Sequence, residues 1–431
     1  MKNQDLPTKK LKFSDPDPVP QTSAIEAIEM RLISSTKDLE SPGFPPSFAV
    51  SIFGQEELIL GYTDPKVIIY INSSTLEHCF SISYSRYDPS YPSLEQELTS
   101  EVFTEEFSTD VPLFNCHLEA PFTIPGICLS RYTLKSQQYE IHKADFNTPG
   151  FLELHKYLKT LPVWFIDGGS IVDSTEPFWE YFLLYNTSKP KPVFVGMCSC
   201  YLFYSKLDSC RARLSQFMIL PPYQRSGHGS YLLKAVYAEY RADSKIKEIT
   251  VEDCSEDMQA LRDVTDFADV YRCLKEKLIP PYPEISSQLI KETAQELKLF
   301  ENQVHRCVEL YKYECVLNDE KYENTFRKEI KKRLYLMNYD DLRPDPNLPS
   351  YKHIYIRNLY LDDDSDSESI KQQLKLINWE DAPSWLGMKP ASREYIQPEE
   401  RKERLSDMYE CLLEEYEKVI SKVMDLSSSI I

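Results

Sequence analysis

The sequence predicts an α+β fold: a mixed sheet carrying the functional site, a smaller α+β domain before it and a helical domain after it. Three observations point there. Alternating apolar runs crowd the first third of the chain. A strand, a glycine turn, a helix and a second strand follow one another between Arg213 and Asp253. Beyond Pro283, apolar residues recur at helical spacing instead. A chain of 431 residues has room for about two or three domains with ample core.

Residues 1–22 are polar, rich in proline and without periodicity, as in a disordered tail. Lys9, Lys10 and Lys12 form a small basic patch there, either a solvated tail or a weak import signal. Residues 23–150 form the first α+β domain. Ala24, Ile25, Ala27, Ile28 and Leu32 suggest an early amphipathic helix. Strand-like runs follow at 48–53, 58–62, 67–71 and 80–84. Gly54, Gln55, Glu56 and Glu57 make a turn between the first two, with two carboxylates. Residues 151–279 form the second domain. There, 161–167 reads as a strand ending in Asp167, with further strands at 178–185 and 193–204.

The run 214–220 is a short apolar strand stopped by Pro221 and Pro222. Gln224, Arg225, Ser226, Gly227, His228 and Gly229 follow as Q-x-x-G-x-G. Two of the chain's 11 glycines fall here, so the motif does not arise from a glycine-rich background. Leu232, Val236 and Tyr240 then recur at helical spacing, and 248–253 alternates as a second strand. Such a crossover places the two strands parallel. Glycines at the mouth of a helix let backbone N–H groups approach an anion, and a pyrophosphate fits. The turn lacks the Lys-Ser/Thr of a P-loop and the third glycine of a dinucleotide fingerprint.

Q-x-x-G-x-G after a strand resembles the acetyl-CoA motif of the GNAT acetyltransferase superfamily. The wider string SQFMILPPYQRSGHG, followed by ITVED and LRD, resembles the catalytic subunits of type B histone acetyltransferases. The resemblance implies a GNAT mixed sheet with splayed parallel strands, the thioester lying in the gap. It implies an enzyme that moves acetyl from acetyl-CoA to tail lysines of newly synthesised histone H4. H4 would be presented with histone H3 as a dimer, and a WD40 histone-binding subunit would assist. Cytoplasm and nucleus are the expected locations, with roles in chromatin assembly, DNA repair and telomeric silencing.

Site residues follow from the same resemblance. Backbone groups of Phe217, Met218 and Ile219 are expected on the pantetheine arm. Gln224, Arg225, Ser226, Gly227, His228, Gly229 and Ser230 would hold the pyrophosphate, and Ser255 would touch the cofactor. His228 inside the turn could be taken for a base; a backbone role is preferred, because the turn faces phosphate. Trp179, Tyr201, Leu202 and Phe203 match positions lining the peptide groove, where aromatic rings hold a lysine stem. Gln55, Glu56 and Glu57 correspond to an acidic loop contacting the histone tail, with Gln55 where an acid is usual.

A lysine ammonium titrates at roughly 10.4 and attacks only after losing a proton. Adjacent strand residues face opposite ways, so one of Glu252 and Asp253 faces the substrate. The resemblance selects Glu252 as base, in a buried place beside a second acid. Asp253 and Asp167 are the other candidates, acting through water. Cys254 is not assigned as a nucleophile; the amine attacks directly.

Net charge is −19, from 49 basic and 68 acidic side chains. That balance argues against direct nucleic-acid binding and suits a cationic partner. The 11 cysteines show no framework spacing, and Cys198-x-Cys200 has no matching His or Cys cluster, so core thiols rather than a metal are expected. No apolar run approaches the ~18 residues of a membrane span, and a reducing compartment is expected.

Residues 280–337 read as a helical domain, 338–400 as an acidic, low-order linker containing the run 362–368, and 401–427 as a final helix. Leu405, Met408, Leu412, Tyr416, Val419 and Val423 form a stripe on that helix, docking on the chain's own helices or on a partner. Two other readings stay open: a GNAT enzyme for a different amine, and a non-catalytic histone-binding scaffold.

Overall fold

The computed structural model describes residues 19–101, 108–205, 209–277, 282, 285–338 and 398–428. The chain divides into two compact units, one of Met1–Leu261 with Gln295–Phe300, the other of Arg262–Ala294 with Glu301–Ile431. The strands are β1 Gln21–Ser23, β2 Ile28–Ile33, β3 Leu58–Leu60, β4 Tyr62–Thr63, β5 Lys66–Asn72, β6 His78–Ser83 and β7 Arg86–Tyr87, then β8 Ile127–Leu134, β9 Gln137–Asp145, β10 Trp179–Asn186, β11 Val193–Ser205, β12 Ser209–Ile219 and β13 Ile246–Val251. The helices are α1 Ala24–Ala27, α2 Val50–Phe53, α3 Leu94–Glu101, α4 Val111–Leu118, α5 Phe151–Leu158, α6 Leu161–Phe165, α7 His228–Ala242 and α8 Glu256–Glu276, then α9 Ser287–Leu297, α10 Glu301–Asn318, α11 Glu323–Met337 and α12 Pro398–Ser428.

The first unit is built on a six-stranded sheet, ordered β13-β12-β11-β10-β9-β8. Only β12 and β13 are parallel; the other neighbours are antiparallel. A three-stranded sheet, β2-β5-β6, packs beside it. One continuous apolar core joins the two, from Ala24 and Ile28 through Tyr181 and Leu183 to Leu220. A boundary at residue 150 therefore cuts through shared packing. The large sheet begins at Ile127 rather than near Phe151, because β8 and β9 form an antiparallel hairpin that pairs onto β10.

Several local expectations change. The early helix is a single turn, α1; from Ile28 the chain pairs parallel with β5, burying Ile28 and Met30 at period two. Gln21 and Thr22, assigned to a tail, pair with Leu60 and Ile59. The run at 48–53 holds a helical turn, α2, not a strand. The run at 161–167 is the helix α6, with Leu161, Pro162, Val163 and Trp164 buried. Periodicity cannot separate a wholly buried short helix from a strand, and Pro162 in the first turn favours the helix.

The described residues of the second unit are mainly helical. Asp263 of the LRD string is buried and accepts from Arg306 Nε at 2.8 Å and from Gln303 Nε2 at 3.1 Å, a structural task. The stripe of α12 docks within this unit: Leu412, Tyr416, Val419 and Val423 are buried, and Tyr416 Oη donates to Glu309 at 2.7 Å. Residues 1–18, the acidic run 362–368 and nearly all of the predicted linker lie outside the described residues.

Candidate active site

The site forms where β12 loses one neighbour. Its first half pairs with β13 from Cys210↔Ile246 to Leu214↔Val251, and Glu252 N–H closes the ladder on the Leu214 carbonyl at 2.8 Å. Its second half pairs only with β11, as far as Gly196↔Ile219. The change falls at a bulge: Gln216 faces Ser199 and Leu214 faces Cys200, so Ser215 is surplus. Leu220 N–H donates to Val195, so alternate residues before it face β11 and those between face away. Phe217 and Ile219 thus turn their backbone groups to the open side. This is the parting of strands expected from the sequence, and it offers main-chain groups to an extended ligand arm. Met218 faces β11 instead and is buried, so it offers no backbone group to that arm.

The glycine turn closes the far end of the gap. Gln224 Nε2 donates to the Ile219 carbonyl at 2.8 Å, fastening the turn to the strand. Gly227, at φ 96°, caps α7 in a backbone region that favours glycine. A Cβ on Gly229 would meet Leu261 Cδ2 at 3.2 Å and Phe217 Cε1 at 3.7 Å, so helix and strand approach closely there. The N–H groups of residues 225–229 have no acceptor among the described residues. Together with the N-terminus of a helix fifteen residues long, they form an anion-binding concavity. Ser230 N–H is turned back onto the Gly227 carbonyl at 3.1 Å. Arg225 pairs with Asp257 at 2.7 Å, both exposed at the rim.

His228 does not point at a substrate. Its ring is buried, Nδ1 lies 2.8 Å from Tyr132 Oη, and Tyr139 and Tyr223 pack around it. Burial pushes its pKa down, with Lys135 adding to the effect. Tyr132 also stacks on Tyr231 of α7, ring centroids 3.9 Å apart. Sequence reading missed this strut because β8 and β9 were not recognised; the spacing of Tyr132 and Tyr139 across a short turn was the available signal. Ser255 was expected on the cofactor. Its hydroxyl accepts from Met258 N–H at 3.3 Å and caps α8.

Glu252 leaves β13 at the bulge. Ser215 Oγ donates to its Oε2 at 2.6 Å, and Arg213 Nη1 lies 3.3 Å from its Oε1. Its side chain is 41% exposed, so the expectation of a buried carboxylate beside a second acid is corrected: its neighbours are a cation and a hydroxyl. Asp253 sits in the following bend at φ 31°, exposed. Asp167 is exposed after α6, on a segment docked through the Ser170 carbonyl, which accepts from Gln216 Nε2 at 2.7 Å.

A wall of rings leads to Glu252. Trp179 pairs with Tyr201, and their rings lie 5.1 Å apart. Tyr201 meets Phe203 at 4.7 Å, and the Arg213 guanidinium lies 4.5 Å from the Phe203 ring. Cross-strand pairing of Tyr201 with Arg213 and of Phe203 with Arg211 puts these side chains on one face. Leu202 alternates to the opposite face and is removed from the wall. Gln55 and Glu56 are exposed in their turn. Glu57 is engaged locally: its Oε1 accepts from Ala49 N–H at 2.6 Å and its carbonyl from Ala24 N–H at 2.8 Å. One of its carboxylate oxygens therefore helps hold the turn. Cys198 and Cys200 lie wholly buried in β11, their sulfurs 3.6 Å apart.

This geometry can bind a pyrophosphate, hold an extended arm by its main chain and place a carboxylate beside the arm's end. Known proteins are similar to the chain in sequence. Residues 20–167 match the family described as histone acetyl transferase HAT1 N-terminus, and residues 139–263 match the acetyltransferase (GNAT) family. The chain is 32% identical over 298 residues to a histone acetyltransferase type B catalytic subunit of Schizosaccharomyces pombe, covering 67% of this chain and 76% of that protein. It is 30% identical over 334 residues to the corresponding subunit of Rattus norvegicus, covering 72% of this chain and 78% of that one. A solved aminoglycoside acetyltransferase from an uncultured soil sample, in complex with sisomicin, is 19% identical, covers 30% of this chain and 84% of its own, and has a TM-score of 0.22. That last likeness is too slight to carry weight.

Proposed function

We propose, for a chain that belongs to the family of histone acetyltransferase type B catalytic subunits and is an acetyl-CoA-dependent acyltransferase, that the acceptor is a lysine amine on the N-terminal tail of newly synthesised histone H4. The observation that carries this reading is the wall of Trp179, Tyr201 and Phe203 leading to Glu252 at the edge of the parted strands. Such rings hold the aliphatic stem of a lysine, and a carboxylate at their end meets its amine.

Glu252 then serves as general base. It takes the amine proton as nitrogen attacks the thioester carbonyl, and the thiolate of coenzyme A leaves without a covalent enzyme intermediate. Ser215 and Arg213 hold the two carboxylate oxygens and fix the base over the gap. A main-chain N–H on the open side of β12 stabilises the oxyanion. Asp253 and Asp167 are the secondary candidates, acting through water.

The acceptor arrives as an H3–H4 dimer, assisted by a WD40 histone-binding subunit, in cytoplasm and nucleus before chromatin assembly. The net charge of −19 supports a cationic partner. Mass spectrometry of an H4 tail peptide after incubation with the protein and acetyl-CoA tests the reading. Acetylated tail lysine is expected, at a rate well above that of a small polyamine. Equal rates on the two would defeat the histone assignment.

A further inference from the structure

We propose that the β8–β9 hairpin holds a divalent metal ion of the zinc class through Cys128, Glu140 and His142. The three come from one cross-strand cluster, and one candidate ligand atom from each lies within 4.8 Å of the other two. Their meeting depends on an irregularity of register. Cys128 faces His142, but Ser130 faces Ile141 and Arg131 faces Glu140, so Leu129 is surplus. The bulge turns Cys128 and Arg131 to the same face as Glu140 and His142, and bulges re-aim side chains in this way.

The donor set is specific. A thiolate, an imidazole and a carboxylate together suit zinc and its neighbours, not magnesium or calcium. Tetrahedral zinc bonds place ligand atoms about 3.3–3.8 Å apart, so atoms now within 4.8 Å of one another would close slightly while the Glu140–His142 pair, at 2.8 Å, opens by about 0.5 Å. Glu140 is already oriented for ligation. Arg131 Nε donates to its Oε1 at 2.9 Å, which leaves Oε2 facing His142 Nε2 at 2.8 Å. Such a carboxylate, fixed from behind by a second residue, is what metal sites commonly show. His142 is 8% exposed, and its Nδ1 has no hydrogen-bond partner among the described residues.

Burial and the nearby Glu140 raise the pKa of the Cys128 thiol. Ligation by the Cys128 sulfur displaces the thiol proton, so metal binding strengthens as pH rises. With three protein ligands, a further position is left for water. The sequence expectation against metal considered Cys198 and Cys200; residues 128, 140 and 142 come together only through the bulged register.

Cobalt(II) is the probe, added to the full chain after chelator treatment. A sulfur-to-cobalt charge-transfer band at one equivalent is expected, displaced by zinc. Cys128→Ser removes the band, and Cys198→Ser keeps it. Arg131→Ala weakens zinc binding about 10–100-fold, as loss of an orienting partner does. Acetyl transfer by Cys128→Ser stays at the parent rate and certifies its fold. Should His142→Ala fail to fold, the two cysteine variants decide the matter alone. Absence of a thiolate band at one equivalent, or a band unchanged in Cys128→Ser, overturns the site.

Discussion

The glycine turn and the slot beside it adjoin in sequence, yet they are built on opposite plans. The turn presents main chain, and packed rings support it from behind: Tyr132, Tyr139 and Tyr223 around the buried His228, and the exposed Tyr231 stacked on Tyr132. The slot presents side chains supported mainly by one another: Phe203, Arg213, Ser215 and Glu252 form a chain of contacts along a half-exposed face. Binding here is a property of backbone shape, and chemistry a property of mutually oriented side chains. Damage to the first should appear in affinity for acetyl-CoA; damage to the second should appear in turnover.

The sharpest way to break the comparison is Glu252→Gln. Turnover should fall about 10²–10⁴-fold, the usual worth of a positioned base, with acetyl-CoA affinity unchanged by calorimetry. Loss of both together would merge the two regions into one. Gly229→Val comes next. The added methyls press on Leu261 and Phe217, at a cost of about 1–3 kcal/mol. The KM for acetyl-CoA should rise about 5–100-fold while kcat stays within about twofold; a fall in kcat alone would count against the division.

Ser215→Ala removes a hydrogen bond to a charged group, worth about 1.5–3 kcal/mol. About tenfold should be lost from kcat at fixed acetyl-CoA affinity, with a displaced pH–rate profile, and Ser215→Thr should restore part of it. An unmoved profile would mean that Ser215 serves packing only. The smallest effect is expected from Tyr132→Phe, which deletes one half-buried hydrogen bond of about 1 kcal/mol behind the turn. Acetyl-CoA should bind about fivefold more weakly with kcat intact.

The same division explains what could be read from the sequence. The turn was legible because backbone needs are written in residue type: Gly227 at positive φ and Gly229 at a close approach stand out among few glycines. The crossover from β12 through α7 to β13 was legible from period alone. The slot was legible only by resemblance. Nothing local to Ser215 announces a bulge, and nothing local to Glu252 announces Arg213 and Ser215 as its neighbours. Glu57 shows the converse limit: nothing in its acidic turn announces that the carboxylate also accepts from the Ala49 amide. The hairpin of β8 and β9 escaped because its outer strand, half exposed, buries none of its residues fully. The α6 segment was misassigned because every side of its first turns is buried, which erases the period that tells helix from strand.

Ser215 has one more implication. It is the odd residue that lets β12 begin with two partners and continue with one. Removing a single amino acid between positions 213 and 217 would restore even step along both ribbons and let β13 zip onward across Phe217. The proposed channel for the pantetheine arm would vanish although the glycine turn and the aromatic wall kept every side chain. In this stretch the number of residues matters more than their identity, and a one-codon deletion should silence the enzyme where most point changes merely slow it.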